Sequence, residues 1–132
     1  MIVTVDTNIL VRVLTDDDPR QGRRARAMLS EADAVAIAIP ALCELVWVLS
    51  RGYRISAREI SAALRKLIDS ENVLVNRPAA EAGLALFDAG GDFADAAIAF
   101  EGDWLGGEMF VTFDRRAAKL METVGTRTRV LS

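Results

Sequence analysis

The stretch Met1-Ile-Val-Thr-Val-Asp-Thr-Asn8 decides the fold. Ile2, Val3 and Val5 form a short β-branched run that ends in the carboxylate of Asp6 and two small polar side chains. A short apolar run followed directly by a helix reads as a central parallel strand buried on both faces, and Asn8 to Leu14 supplies the helix. Ligands gather at the carboxyl ends of strands in open α/β sheets. Asp6 therefore stands where chemistry is expected.

Working outward, Thr15-Asp-Asp-Asp-Pro19 is a like-charged loop closed by a proline suited to the first turn of a helix. That helix carries Arg20, Arg23, Arg24 and Arg26, either a solvated face or a phosphate-contacting edge. Ala34 to Ile39 alternates alanine with Val35, Ile37 and Ile39, a second strand entering a helix at Pro40 that runs to about Arg51. Ser56-Ala-Arg-Glu59 is a capping box for a further helix with an Ile60, Ala63, Leu64, Leu67, Ile68 stripe. Val73 to Val75 is a third strand, and Pro78 opens a helix that Gly90-Gly91 ends. Another helix begins near Ala94. Met109 to Phe113 is a fourth strand, and Thr128 to Leu131 supplies an edge strand. This alternation predicts an α/β fold with a parallel sheet.

The chain has 132 residues, enough for a sizeable core without disulfides, and reads as one domain, residues 1–132. Hydrophobic content of 52% and a mean hydropathy of +0.22 fit a generous core, an apolar oligomer surface, or both. With 16 basic and 19 acidic residues the formal charge is −3, so nucleic-acid binding would rest on local patches. No signal peptide or membrane span is recognisable. The lone Cys43 cannot form an internal disulfide, which fits a reducing cytoplasm. Amid Pro40, Ala41, Leu42 and Leu45 it reads as a small hydrophobe rather than a nucleophile.

The chain contains no histidine. That excludes Ser-His-Asp and Cys-His hydrolases in their usual form and any histidine-ligated zinc site. Chemistry is left to carboxylates, hydroxyls, Lys, Arg or metal-bound water. Four acids recur in telling places. Asp6 and Asp114 end strands. Glu44 is the one charge in Ala34 to Ser50, with apolar residues three and four positions away, so burial would demand a cation, a donor or an arginine. Asp95 points from a helix N-terminus toward Ile98, Ala99 and Gly102. Asp92 is a helix cap or a functional group with equal force. Acids brought together this way need a counter-cation, and oxygen-only ligands favour Mg²⁺, with Mn²⁺ able to substitute.

On Val-Asp-Thr-Asn-Ile-Leu around Asp6, Glu44 after strand two, Phe-Ala-Asp-Ala-Ala-Ile-Ala around Asp95 and Val-Thr-Phe-Asp-Arg around Asp114, the chain resembles the PIN-domain ribonucleases, and among them the VapC-type toxins. The resemblance spans the whole chain. It implies a three-layer α/β/α PIN-like domain with a central parallel sheet of four to five strands, and Mg²⁺-dependent endoribonuclease activity. It further implies a homodimer neutralised by a cognate antitoxin. Carried over by residue, Asp6, Asp95 and Asp114 would hold metal, Glu44 would orient or deprotonate water, and Asn8, Thr112 and Asp92 would position substrate. The rival expectations are a metal-dependent phosphatase-like α/β domain, weakened by Asn8 where a second Asp is wanted, and a non-catalytic PIN-like interaction module.

Overall fold

A computed structural model describes all 132 residues. Two compact units divide the chain, Met1–Asn76 and Arg77–Ser132.

The first unit alternates strand and helix as its sequence predicts. Strand β1 (Ile2–Thr4) leads into α1 (Thr7–Leu14) and α2 (Pro19–Glu31), then β2 (Ala34–Ile37), α3 (Ile39–Trp47), α4 (Ala57–Ile68) and β3 (Val73–Val75). Caps set the helix starts. Asp6 accepts a hydrogen bond from the Ile9 N–H, Asp18 from Gln21 and Ser56 from Glu59, each satisfying a donor that has no partner inside the helix. Pro19 and Pro40 occupy first turns, where a missing N–H costs nothing. Beyond Trp47 the helix widens into a π-helical turn, Val48–Gly52, instead of running on as α-helix to Arg51.

The three strands pair in parallel in the order β1, β2, β3. Their register sets Val3 beside Val35 and Val35 beside Val73, with Ile37 beside Val75. Because side chains alternate across a strand, these residues share one face, and on it Val35 and Ile37 are buried. Thr4, Ala36 and Leu74 share the other. Here the expectation of a first strand buried on both faces fails: within β1, Ile2 is 63% exposed and Thr4 is exposed. An apolar run records composition. Its burial depends on what packs against each face.

The second unit contains α5 (Arg77–Asp88), α6 (Phe93–Trp104), β4 (Phe110–Thr112), α7 (Arg115–Thr123) and β5 (Thr128–Val130). Strands β4 and β5 pair in parallel across the α7 crossover, so the chain has five strands, all in parallel ladders of three and two. Gly90 ends the α5 turn at φ +96°, a conformation glycine adopts without steric cost. Helices α5 and α6 pack closely because Gly83 faces the ring of Phe93, which is fully buried. Leu86, Ala96 and Met121 form a buried cluster under Phe110. This packing fixes the start of α6, and with it Asp92 and Asp95.

Candidate functional site

The acids singled out by sequence fall into two groups. In the second unit Asp95 lies in the first turn of α6, half-buried, while Asp92 caps that helix and Asp114 caps α7. Burial pushes the Asp95 carboxyl above its ordinary range, and the charges of Asp92 and Asp114 push it further the same way. The fold thus brings these three into electrostatic reach of one another from two helix starts. As their side chains stand, they do not by themselves close into a cradle for a cation.

The caps specify how each acid is held. Asp92 accepts the Ala94 N–H at 3.1 Å and Asp114 the Ala117 N–H at 3.0 Å, both through Oδ1. Thr112, at the end of β4, accepts the Asp114 N–H on its hydroxyl at 3.0 Å, fixing the backbone from which that carboxylate projects. One oxygen of each cap serves the helix. The other is the atom open to further chemistry.

In the first unit Asp6 follows the same rule, with Oδ1 on the Ile9 N–H at 3.0 Å and the residue exposed. Asp6, Asn8, Ile9 and Arg12 form one wall of a cleft of about 460 Å³, and Gln21, Arg24, Ala25 and Met28 of α2 form the other. Glu44 corrects an expectation. Helix α3 buries Ala41, Leu42, Leu45 and Val46, which turns Pro40, Glu44 and Trp47 outward. Trp47 is 64% exposed. Glu44 therefore stands on a water-facing stripe, and the desolvation cost that its apolar neighbours suggested does not arise. Helical period, more than residue type, decides the face.

One cluster escaped the sequence reading. Arg12 donates to Gln21 at 2.7 Å and to Asp17 at 3.0 Å, and Tyr53 donates its hydroxyl to the second Asp17 oxygen at 2.5 Å. Thr15 adds a third bond to Asp17. Held mainly by the Tyr53 hydroxyl, and also by Thr15 and Arg12, the Asp17 carboxyl stays below its usual range. The network ties the acidic loop to the turn after α3, where Arg54 adopts a left-handed φ of +54°. Its members lie up to 41 residues apart. No local pattern signals it.

Parallel strands alternating with helices, and carboxylates capping the helices that follow strands β1 and β4, define an α/β protein with acidic side chains at these strand ends. The family model described as the PIN domain matches residues 3–122, through both units, and the chain belongs to the PIN-domain family. Its fold is accordingly of the α/β/α PIN type. PIN domains form a nuclease superfamily that acts on RNA and normally uses a divalent metal. No curated protein sequence matches this chain.

The donor set suits such a metal in its chemistry. It consists of carboxylate oxygens, without histidine or paired cysteine, and it includes Asp95, whose pKa is raised first by burial and then by the like charges of Asp92 and Asp114. No helix is long and apolar enough to cross a membrane.

Proposed function

We propose that this protein is a Mg²⁺-dependent endoribonuclease, Mn²⁺ substituting, that acts as the toxin of a VapC-type toxin–antitoxin pair. The observation that carries the reading is Asp95, a half-buried acid within electrostatic reach of Asp92 and Asp114, in a chain of a nuclease family. Asp6, Asp95 and Asp114 are assigned as metal-holding acids, and residues 1–132 as one functional domain, supported by a family match that runs through both units. When bound, the metal supplies neutralisation of charge on the phosphoryl group and a water of lowered pKa.

The chain's own groups do the rest. Glu44, exposed to water on α3, accepts the proton of the attacking water, whose oxygen bonds to phosphorus as the P–O bond to one ribose oxygen breaks and that leaving oxygen takes up a proton from solvent. Asn8 beside Asp6, and Asp92 beside Asp95, position the RNA. Thr112 does so indirectly, through the backbone bond that aims Asp114. Capping bonds preorganise Asp6, Asp92 and Asp114, which limits the reorganisation left for the reacting state.

A homodimer is assigned by resemblance to the VapC-type toxins, with the exposed Trp47 and Trp104 as slight physical support. A cognate antitoxin protein is the second partner assigned, by resemblance to the VapC-type toxins. A cytoplasmic location is supported by the lone cysteine. The test is incubation of the purified chain with total RNA, with Mg²⁺ or with EDTA, and mapping of the ends. Cuts that require Mg²⁺ are expected. Intact RNA in both arms, at protein concentrations where the chain is folded, overturns the proposal.

A further inference from the structure

Four arginines lie on α2, and the structure gives them different work. Arg26 donates to the carbonyls of Arg12 and Val13 at 3.4 and 3.3 Å, satisfying acceptors at the C-terminal end of α1. It is a helix-packing residue, lodged where α1 and α2 approach so closely that a Cβ on Gly22 would sit 3.2 Å from the Arg12 carbonyl. Arg20 and Arg23 are exposed and line no part of the cleft beside Asp6. Arg24 does line it.

Helical spacing explains the difference. Gln21, Arg24, Ala25 and Met28 fall at three- and four-residue intervals, so they share the α2 face turned toward α1. Ala25 is buried at the contact, while Arg24 remains exposed at its rim. Arg24 and Met28 also line an adjoining cleft of about 380 Å³ with Met1, Val3, Ala27, Glu31 and Ala32. Arg24 thus lines both clefts, with Asp6 and Asn8 in the first of them. The other cation of this cleft, Arg12, is committed to Asp17, Gln21 and Tyr53. None of these bonds involves Arg24.

We propose that Arg24 contacts a backbone phosphate of the RNA strand in the cleft beside Asp6, flanking the bond to be cleaved. The inference rests on the nuclease reading and adds to it a substrate-binding residue. A chain of net charge −3 whose reaction uses carboxylates repels a polyanion, so local cations must offset that repulsion. A guanidinium matches phosphate with two parallel donors, a geometry that an ammonium lacks. The contact reads no base; it sets the register of the strand relative to Asp6.

The test is Mg²⁺-dependent cleavage of a single-stranded RNA by the full chain, with kcat and KM measured over a range of salt for wild type, Arg24→Ala, Arg24→Lys and Arg23→Ala. Loss of one charge-assisted phosphate contact is expected to raise KM about tenfold in Arg24→Ala and leave kcat within about twofold. It should also make the slope of log(kcat/KM) against log[salt] shallower by about 0.7, the value for one single-strand phosphate. Arg24→Lys keeps the charge and should recover the slope, and Arg23→Ala should match wild type. Arg24→Ala with wild-type KM and slope overturns the inference and leaves the nuclease reading standing. So does an equal loss in Arg23→Ala, which would mean diffuse attraction alone. A wild-type chain that cleaves no RNA overturns both. Thermal melts matched to wild type establish that the Arg24 variants are folded.

Discussion

Replacing Asp6 in two ways separates its two duties. Its carboxylate caps α1 through one hydrogen bond, 3.0 Å to the Ile9 N–H, and is proposed to hold metal through what remains. Asparagine caps as well as aspartate does, because its side-chain carbonyl offers the same acceptor at the same reach. Asp6→Asn should therefore keep stability within about 0.5 kcal/mol of wild type. It also removes the negative charge on which metal binding depends. If the metal supplies several kcal/mol at the reacting phosphate, and each 1.4 kcal/mol is a factor of ten, cleavage should fall by at least about a hundredfold. Asp6→Ala loses cap and charge together. It should show the same loss of cleavage plus about 1 kcal/mol of stability, a fall in Tm of about 3–4 °C for a chain of this size. The assay pairs thermal unfolding with Mg²⁺-dependent RNA cleavage on the same preparations. An Asp6→Asn protein that cleaves at the wild-type rate would refute the reasoning, and Asp6 would then be a cap and nothing more.

Two further outcomes follow from the second unit. Asp95 has a folded pKa raised above its unfolded value by burial, then by Asp92 and Asp114, so its charged form is disfavoured in the native state. The resulting loss of stability is absent below the unfolded carboxylate pKa and complete above the folded one. Asp95→Asn should thus melt higher than wild type at pH 7 in EDTA, and the two Tm values should converge near pH ~3; a variant that melts lower at pH 7 contradicts the assignment of strain to that charge. Gly83→Ala would place a Cβ 2.5 Å from Phe93 Cε2 and 2.7 Å from two other ring carbons. Phe93 is fully buried, so overpacking of about 1–3 kcal/mol should outweigh the roughly 1 kcal/mol that alanine gains in helix propensity. Denaturant titration should show net destabilisation, with cleavage impaired because Phe93 adjoins Asp92; unchanged or increased stability would show that the ring moves freely.

Legibility differed from one element to the next for reasons that can be named. The capping boxes, first-turn prolines and glycine stops are local chemistry, so Ser56, Pro19, Pro40 and Gly90 announced helix boundaries that the structure keeps within a residue or two. Asp95 is half-buried, yet Ile98, one of the helical neighbours on which its reading rested, is 60% exposed. The exposure of Glu44 was not legible. Its apolar surroundings in sequence gave no phase for α3, and that phase is set by which side of the helix packs inward. Ile2 misled similarly, since a β-branched residue fits a pleated strand whether or not anything covers it.

What the sequence by itself determined is the alternation of strand and helix, the family, and the exclusion of histidine-based chemistry, because periodicity, caps and the lack of histidine are properties of residues and their near neighbours. Only the tertiary structure decided the rest. It assigned Arg26 to the end of α1 and Arg24 to the cleft beside Asp6, and it drew Asp17, Arg12 and Tyr53 into one network. It also set Asp92 and Asp114 close enough to perturb Asp95. These are contacts between segments remote in sequence, and their free energies depend on distance, burial and shared donors, quantities that exist only once the helices have packed.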